Sequence, residues 1–123
     1  MTGEGSFAIT AWDAEPPYDA PADGPPQGRI TVRKAFSGAL SGTSEAQLLV
    51  CGEAGYVASE RITGALDRRA GTFVVQHGAT AAPDGSPYQF GNVIPGSGTG
   101  ELAGLRGTIT FAHERYAFDL ELR

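Results

Sequence analysis

The chain has one cysteine, Cys51, one lysine, Lys34, one tryptophan, Trp12, and two histidines, His77 and His113. A single cysteine excludes an intrachain disulfide and a cysteine-based zinc site. Two histidines 36 positions apart exclude an HExxH helix and a multi-histidine cluster, so neither a metal nor a cofactor is expected. No apolar run approaches the roughly 20 residues that a membrane-spanning helix needs. The opening Met1-Thr2-Gly3-Glu4-Gly5-Ser6 carries neither a basic nor an apolar stretch, so it does not resemble a secretory leader. The chain therefore reads as cytoplasmic. Basic residues are outnumbered by acidic ones, 9 against 14, for a net charge of −5. That balance argues against nucleic acid or an anionic membrane surface as a partner.

Glycine and proline, by contrast, are abundant, at 18 and 8 of 123 residues. They imply many tight turns and few long helices. The length suits a single domain spanning 1–123, and a 41 % hydrophobic content can fill one core.

Period-two alternation dominates. Phe7, Ile9 and Ala11 share one face, with Ala8, Thr10 and Trp12 opposite. The next runs are 30–37, 46–51, 56–63 and 72–77, followed by a weaker one over 88–94. Two more close the chain, around Ile109, Phe111 and His113, then Tyr116, Phe118, Leu120 and Leu122. Alternation at this spacing is the signal of half-buried strands. The separators are turn sequences such as Ser37–Gly42, Gly52–Gly55, Asp67–Gly71 and Pro83–Ser86. Only Gly100–Leu105 suits a helical turn. Eight strands with short connections cannot form a parallel sheet, which needs long crossovers. The expected fold is all-β, an eight-stranded antiparallel meander closed into a barrel, with a two-sheet sandwich as the alternative. The proline-rich, acidic segment 14–27 links strands one and two as an extended surface loop, or as a cover over the barrel mouth.

Nucleotide and hydrolase motifs fail. Gly96-Ser97-Gly98-Thr99-Gly100 is followed by Glu101, so neither the dinucleotide fingerprint nor the P-loop is met, and no GxSxG elbow occurs. The same region carries a different likeness. The run Val93–Gly107, which contains Pro95-Gly96-Ser97-Gly98-Thr99-Gly100-Glu101-Leu102, joins Phe36–Gly42, Glu60–Gly64 and Gly71–His77. Together these resemble a family of small bacterial proteins of unassigned function whose fold is the allene oxide cyclase-like barrel. The resemblance spans roughly Gly5 to Arg123. It implies an eight-stranded antiparallel barrel that commonly self-associates, and no agreed activity. Related barrels include cyclases acting on apolar reactive intermediates, an analogy of fold and not of site.

The site expectation comes from polar residues on apolar faces. Lys34 lies between Val32 and Phe36 on the inward parity of its strand, and Glu60 lies between Ala58 and Ile62 on another. A buried ammonium needs a partner, and a one-residue slip would expose Phe36 and Ile62 instead. His77 continues the face of Phe73 and Val75, while Tyr56, Tyr88, His113 and Tyr116 fall on or near inward positions. One reading is a satisfied polar network that fixes strand register. The other is a lumen with a few convergent polar groups among apolar walls, the usual form of a small-ligand pocket.

On the second reading the protein is a cofactor-free cyclase or isomerase for an apolar small molecule, in secondary metabolism, or a non-catalytic binding barrel. Glu60 and His77 are the acid–base candidates, Lys34 the electrostatic partner of developing negative charge, and Tyr56 and Tyr88 the hydrogen donors. Phe36, Phe73, Phe111, His113, Tyr116 and Phe118 complete the expected ligand walls. Outward Val57, Val74 and Ala117 point to a homodimer or small homo-oligomer.

Overall fold

In a computed structural model describing all residues, 1–123, eight antiparallel strands close into one barrel in simple sequence order. They are β1 (Thr2–Ala14), β2 (Gln27–Gly38), β3 (Leu40–Cys51), β4 (Gly55–Leu66), β5 (Arg69–Ala81), β6 (Pro87–Val93), β7 (Leu105–Ala112) and β8 (Arg115–Leu122). Pairing of β1 with β8, from Thr2 opposite Asp119 to Ser6 opposite Arg115, closes the circle. The sandwich is excluded, and the helical content is a single 3-10 turn at Gly100–Leu102.

Strands are longer than alternation suggested. β3 begins at Leu40, six residues ahead of the expected start, because Gly38 turns the chain at φ +103° and leaves only Ala39 between strands. Two hairpins reverse without glycine in the turn itself. Asp67-Arg68 and His113-Glu114 all take positive φ, between 48° and 64°, the backbone of the two-residue turns whose twist matches a hairpin. His113 is thereby a turn residue and not the end of a strand.

One end of the barrel is sealed. Leu40, Ile62, Leu66, Phe73, Leu105, Ile109, Tyr116, Phe118 and Leu120 fill it, and Leu102 on the 3-10 turn plugs the bottom with no exposed surface. Tyr116 ties this region together. Its hydroxyl accepts from the Leu40 N–H at 2.7 Å and places its own proton between the carbonyls of Ser37 at 2.8 Å and Leu40 at 3.0 Å. Tyr116→Phe strands the buried Leu40 N–H and should cost about 1–3 kcal/mol. A lower urea midpoint at unchanged slope is the expected reading.

The other end is open and holds the loops 14–27, 51–55, 81–87 and 112–115. In the first of these, Tyr18 N–H bonds to the Gln27 carbonyl at 3.0 Å, and the Pro26 carbonyl accepts from Gly52 N–H at 2.8 Å. The loop is thus held to β2 and to the β3–β4 turn. Cys51 is exposed at this end.

Candidate functional site

Strand register decides which inward residues meet. Lys34 faces Ser44 across β2–β3, Glu60 faces Ala46 and Val75, His77 faces Ala58 and Gly91, and Tyr56 faces Ala79. Ser44 and Glu60, Glu60 and His77, and His77 and Tyr56 are therefore diagonal neighbours, while Lys34 reaches Glu60 across β3 from two strands away. Three of the direct neighbours are alanines, whose small side chains leave the space through which the polar groups touch.

Glu60 is the hub, with no solvent-exposed surface. Its Oε1 accepts from Lys34 Nζ at 3.0 Å and from His77 Nε2 at 2.8 Å, and its Oε2 accepts from Ser44 Oγ at 2.6 Å. A neutral His77 that donates through Nε2 must accept through Nδ1. Tyr56 supplies that proton from its hydroxyl, 3.1 Å away. No buried side-chain nitrogen or oxygen is left without a partner.

Burial alone would raise the Glu60 carboxyl pKa. The His77 hydrogen bond, the Lys34 charge and the Ser44 hydroxyl together outweigh it and hold the group below the ordinary value of 4.5. Tyr56 is shifted the other way, above 10.0, first by burial and then by the negative charge of Glu60. At neutral pH Glu60 is therefore a carboxylate and Tyr56 a phenol that keeps its proton.

Lys34 is 7 % exposed. Besides Glu60, its Nζ meets two aromatic faces, Phe7 at 4.5 Å and Phe111 at 4.3 Å from the ring centroids, a contact that favours the cation in apolar surroundings. Phe111 also packs 4.7 Å from the His77 ring. Above these groups lies a cavity of about 900 Å³ that opens at the loop end. Lys34, His77, Tyr56, Phe7 and Phe111 line its depth, and Ile9, Trp12, Ile30, Val32, Leu48 and Val50 line its walls. No residue of 15–26 is among its walls. Glu60 lies behind the lining, so it acts on the cavity only through Lys34 and His77.

Trp12 reaches the lumen through a register shift. Phe7 pairs with Phe36 and Ile9 with Lys34, but Ala11 pairs with Arg33, so Thr10 is an extra residue. Past this bulge the parity of β1 inverts and Trp12 joins Val32 on the inner face. Alternation sets Trp12 opposite Phe7 and Ile9, as an outward residue or, after a bulge, a pocket wall, and the register shift decides for the wall. A bulge has no reliable signature in one sequence.

Several expected wall residues lie elsewhere. Tyr88 is opposite Thr80 on the outer face of β6 and 56 % exposed, so it is no lumen donor. Phe36, Phe73, Tyr116 and Phe118 do point inward, but into the sealed core below the cavity. Parity tells in from out and says nothing of depth. His113 reaches the cavity only at its rim, from the β7–β8 turn.

No curated protein matches the chain. Among solved structures, it superposes on a protein of unknown function from Shewanella oneidensis MR-1, of the DUF3224 family, with a TM-score of 0.85. The two are 32 % identical, over 100 % of this chain and 97 % of that one. Residues 3–122 match the same family, described as proteins of unknown function. With family and neighbour agreeing over the whole barrel, the chain belongs to DUF3224.

Proposed function

We propose that the protein is a cofactor-free isomerase or cyclase for an apolar small molecule held in the open half of the barrel. The observation that carries this reading is the relay Tyr56–His77–Glu60 at the base of an apolar cavity, beside a single ammonium. An apolar cavity needs only a few polar groups to orient a ligand, and here they converge at its closed end. The likeness to allene oxide cyclase-like barrels supports the same reading at the level of fold.

The chemistry is proton transfer at carbon next to a carbonyl. The substrate C–H bond breaks and its proton goes to the Tyr56 oxygen. Tyr56 passes its own proton to His77 Nδ1, and the resulting imidazolium is balanced by Glu60 through the 2.8 Å contact. Negative charge collects on the substrate oxygen, where Lys34 stabilises it. Return of the proton at another carbon completes an isomerisation, and attack by the carbanion on a second centre of the folded substrate closes a ring.

The test uses 2-tetralone in deuterium oxide, with α-proton exchange followed by NMR. The protein should accelerate exchange, and Tyr56→Phe should lower the rate by about 10²-fold or more. Val32→Trp, which fills the cavity, should abolish the acceleration. A second reading, binding without chemistry, is favoured if the fluorescent probe 1-anilinonaphthalene-8-sulfonate binds, Val32→Trp displaces it and no exchange is seen.

Self-association belongs to the same proposal. Leu49 and Val57 pair across β3–β4 on the outer face, and Phe90 packs over Gly78 in the same row. All three are exposed, and a second copy of the chain covers this band. Sedimentation should show a dimer, and Val57→Asp a monomer.

A further inference from the structure

Lys34 has a property that the relay does not use: it is an amine. It is the only lysine of the chain. Its Nζ lies in the cavity lining, walled by the rings of Phe7 and Phe111, and its one hydrogen-bonded partner is a carboxylate with no exposed surface. A lysine needed only for register could be satisfied as well in the sealed half. This one stands where the apolar lumen begins.

We propose that Lys34 is a covalent site that condenses with aldehydes and ketones of apolar molecules to form a protonated imine. The inference rests on the lumen being the ligand site, and it deepens that reading by naming the substrate class as carbonyl compounds. The step balances. One Lys34 proton passes to Glu60 along the 3.0 Å hydrogen bond, and the free amine attacks the carbonyl carbon. A C–N bond forms, and a second proton moves from the attacking nitrogen to the former carbonyl oxygen, giving the neutral carbinolamine. Glu60 returns its proton along the same hydrogen bond to the former lysine nitrogen, from which it moves to the hydroxyl as the C–O bond breaks and water leaves.

Ammonium and carbonyl thus become iminium and water, with one positive charge before and after. Glu60 is therefore the matched counterion of the ammonium before the reaction and of the iminium after it. His77 and Ser44 hold the carboxylate in place from its other sides, so it need not follow the departing proton. The iminium also draws electrons from the adjacent carbon, which makes the proton taken by the Tyr56–His77 pair easier to remove. Displacement of water from the aromatic-walled cavity disfavours hydrolysis of the adduct.

Benzaldehyde with sodium cyanoborohydride tests this, because benzaldehyde has no α-proton and its trapping is independent of the relay. The only competing amine in the chain is the N-terminus, whose nitrogen bonds to the Leu120 carbonyl at 2.6 Å. An ordinary α-amino group holds its proton less tightly than a lysine and is the more reactive of the two at neutral pH. The expected result is the reverse, with one benzyl group at Lys34 forming about tenfold or more faster than at Met1. Peptide mapping should find it absent from Lys34→Arg. Val32→Trp should suppress it while leaving Met1 labelling unchanged. Labelling at Met1 alone overturns the inference. If the naphthalene sulfonate probe still binds in the cavity, the lumen reading stands without it. If that probe does not bind either, both fail.

Discussion

Glu60→Gln should be the most damaging single change in the polar network, costing about 3–5 kcal/mol. The carboxylate is fully buried and serves three donors, Lys34, His77 and Ser44. An amide offers one acceptor oxygen in place of two and turns an N–H toward groups that are themselves donors. Lys34→Met should cost less, about 1–3 kcal/mol, since Glu60 keeps two partners and the vacated position borders an open cavity. The double variant should lose less than the sum, because the unpaired charge left by each single change disappears. Urea unfolding of the three variants measures all of this. Equal losses for both single variants would show that Glu60 is not the hub.

The same residue sets a pH dependence. The folded chain keeps Glu60 ionised to lower pH than the unfolded chain does, so the unfolded state takes up the proton first as pH falls. Its contribution is therefore complete above the ordinary value of 4.5 and is lost as pH falls through the depressed folded value. Wild-type stability should drop over that acid window, and the Gln variant should lose correspondingly less there. An identical acid slope in both proteins would remove Glu60 as the cause.

Gly91→Ala should be comparably severe, at the upper end of the roughly 1–3 kcal/mol cost of overpacking or beyond it. A Cβ there would lie 1.9 Å from the Ile109 carbonyl oxygen and 3.5 Å from the Cβ of His77, its cross-strand partner. The obstacle is backbone, so rotamer changes cannot relieve it. Relief must come by separating β6 from β7, which are joined at only two register positions, Asn92–Thr108 and Val93–Gly107. Hydrogen exchange should show lost protection in those two strands, and the displaced His77 should lose its 2.8 Å contact with Glu60. Unchanged protection in β6 and β7 would count against the close approach.

Much of this barrel is legible in one dimension because inward and outward residues alternate at a spacing that only strands have. The eight runs, their antiparallel order and the inward parity of Lys34, Glu60, His77 and Tyr56 follow from that period. Trp12 and Tyr88 show where the period fails. One extra residue in β1 inverts the face of Trp12, and the weak run over β6 conceals that its aromatic residues point outward. His113 shares the parity of Ile109 and Phe111, yet the short connection His113–Tyr116 reads as a hairpin, and its positive φ places it in the turn.

Composition and alternation by themselves determined the class of fold, the count of strands and the set of polar side chains that had to be buried. Which of those side chains touch was decided by register between strands. Lys34 lies 26 residues from Glu60, Tyr56 lies 21 from His77, and nothing local encodes either contact. Depth was decided in the same way. Barrel closure placed Phe73 and Tyr116 in the sealed half and Phe7 and Phe111 around the cavity. The physical reason is that burial rewards any apolar side chain on the inner face equally. Only the stagger of the strands says whether the space above it is filled by Leu102 and its neighbours or left open for a ligand.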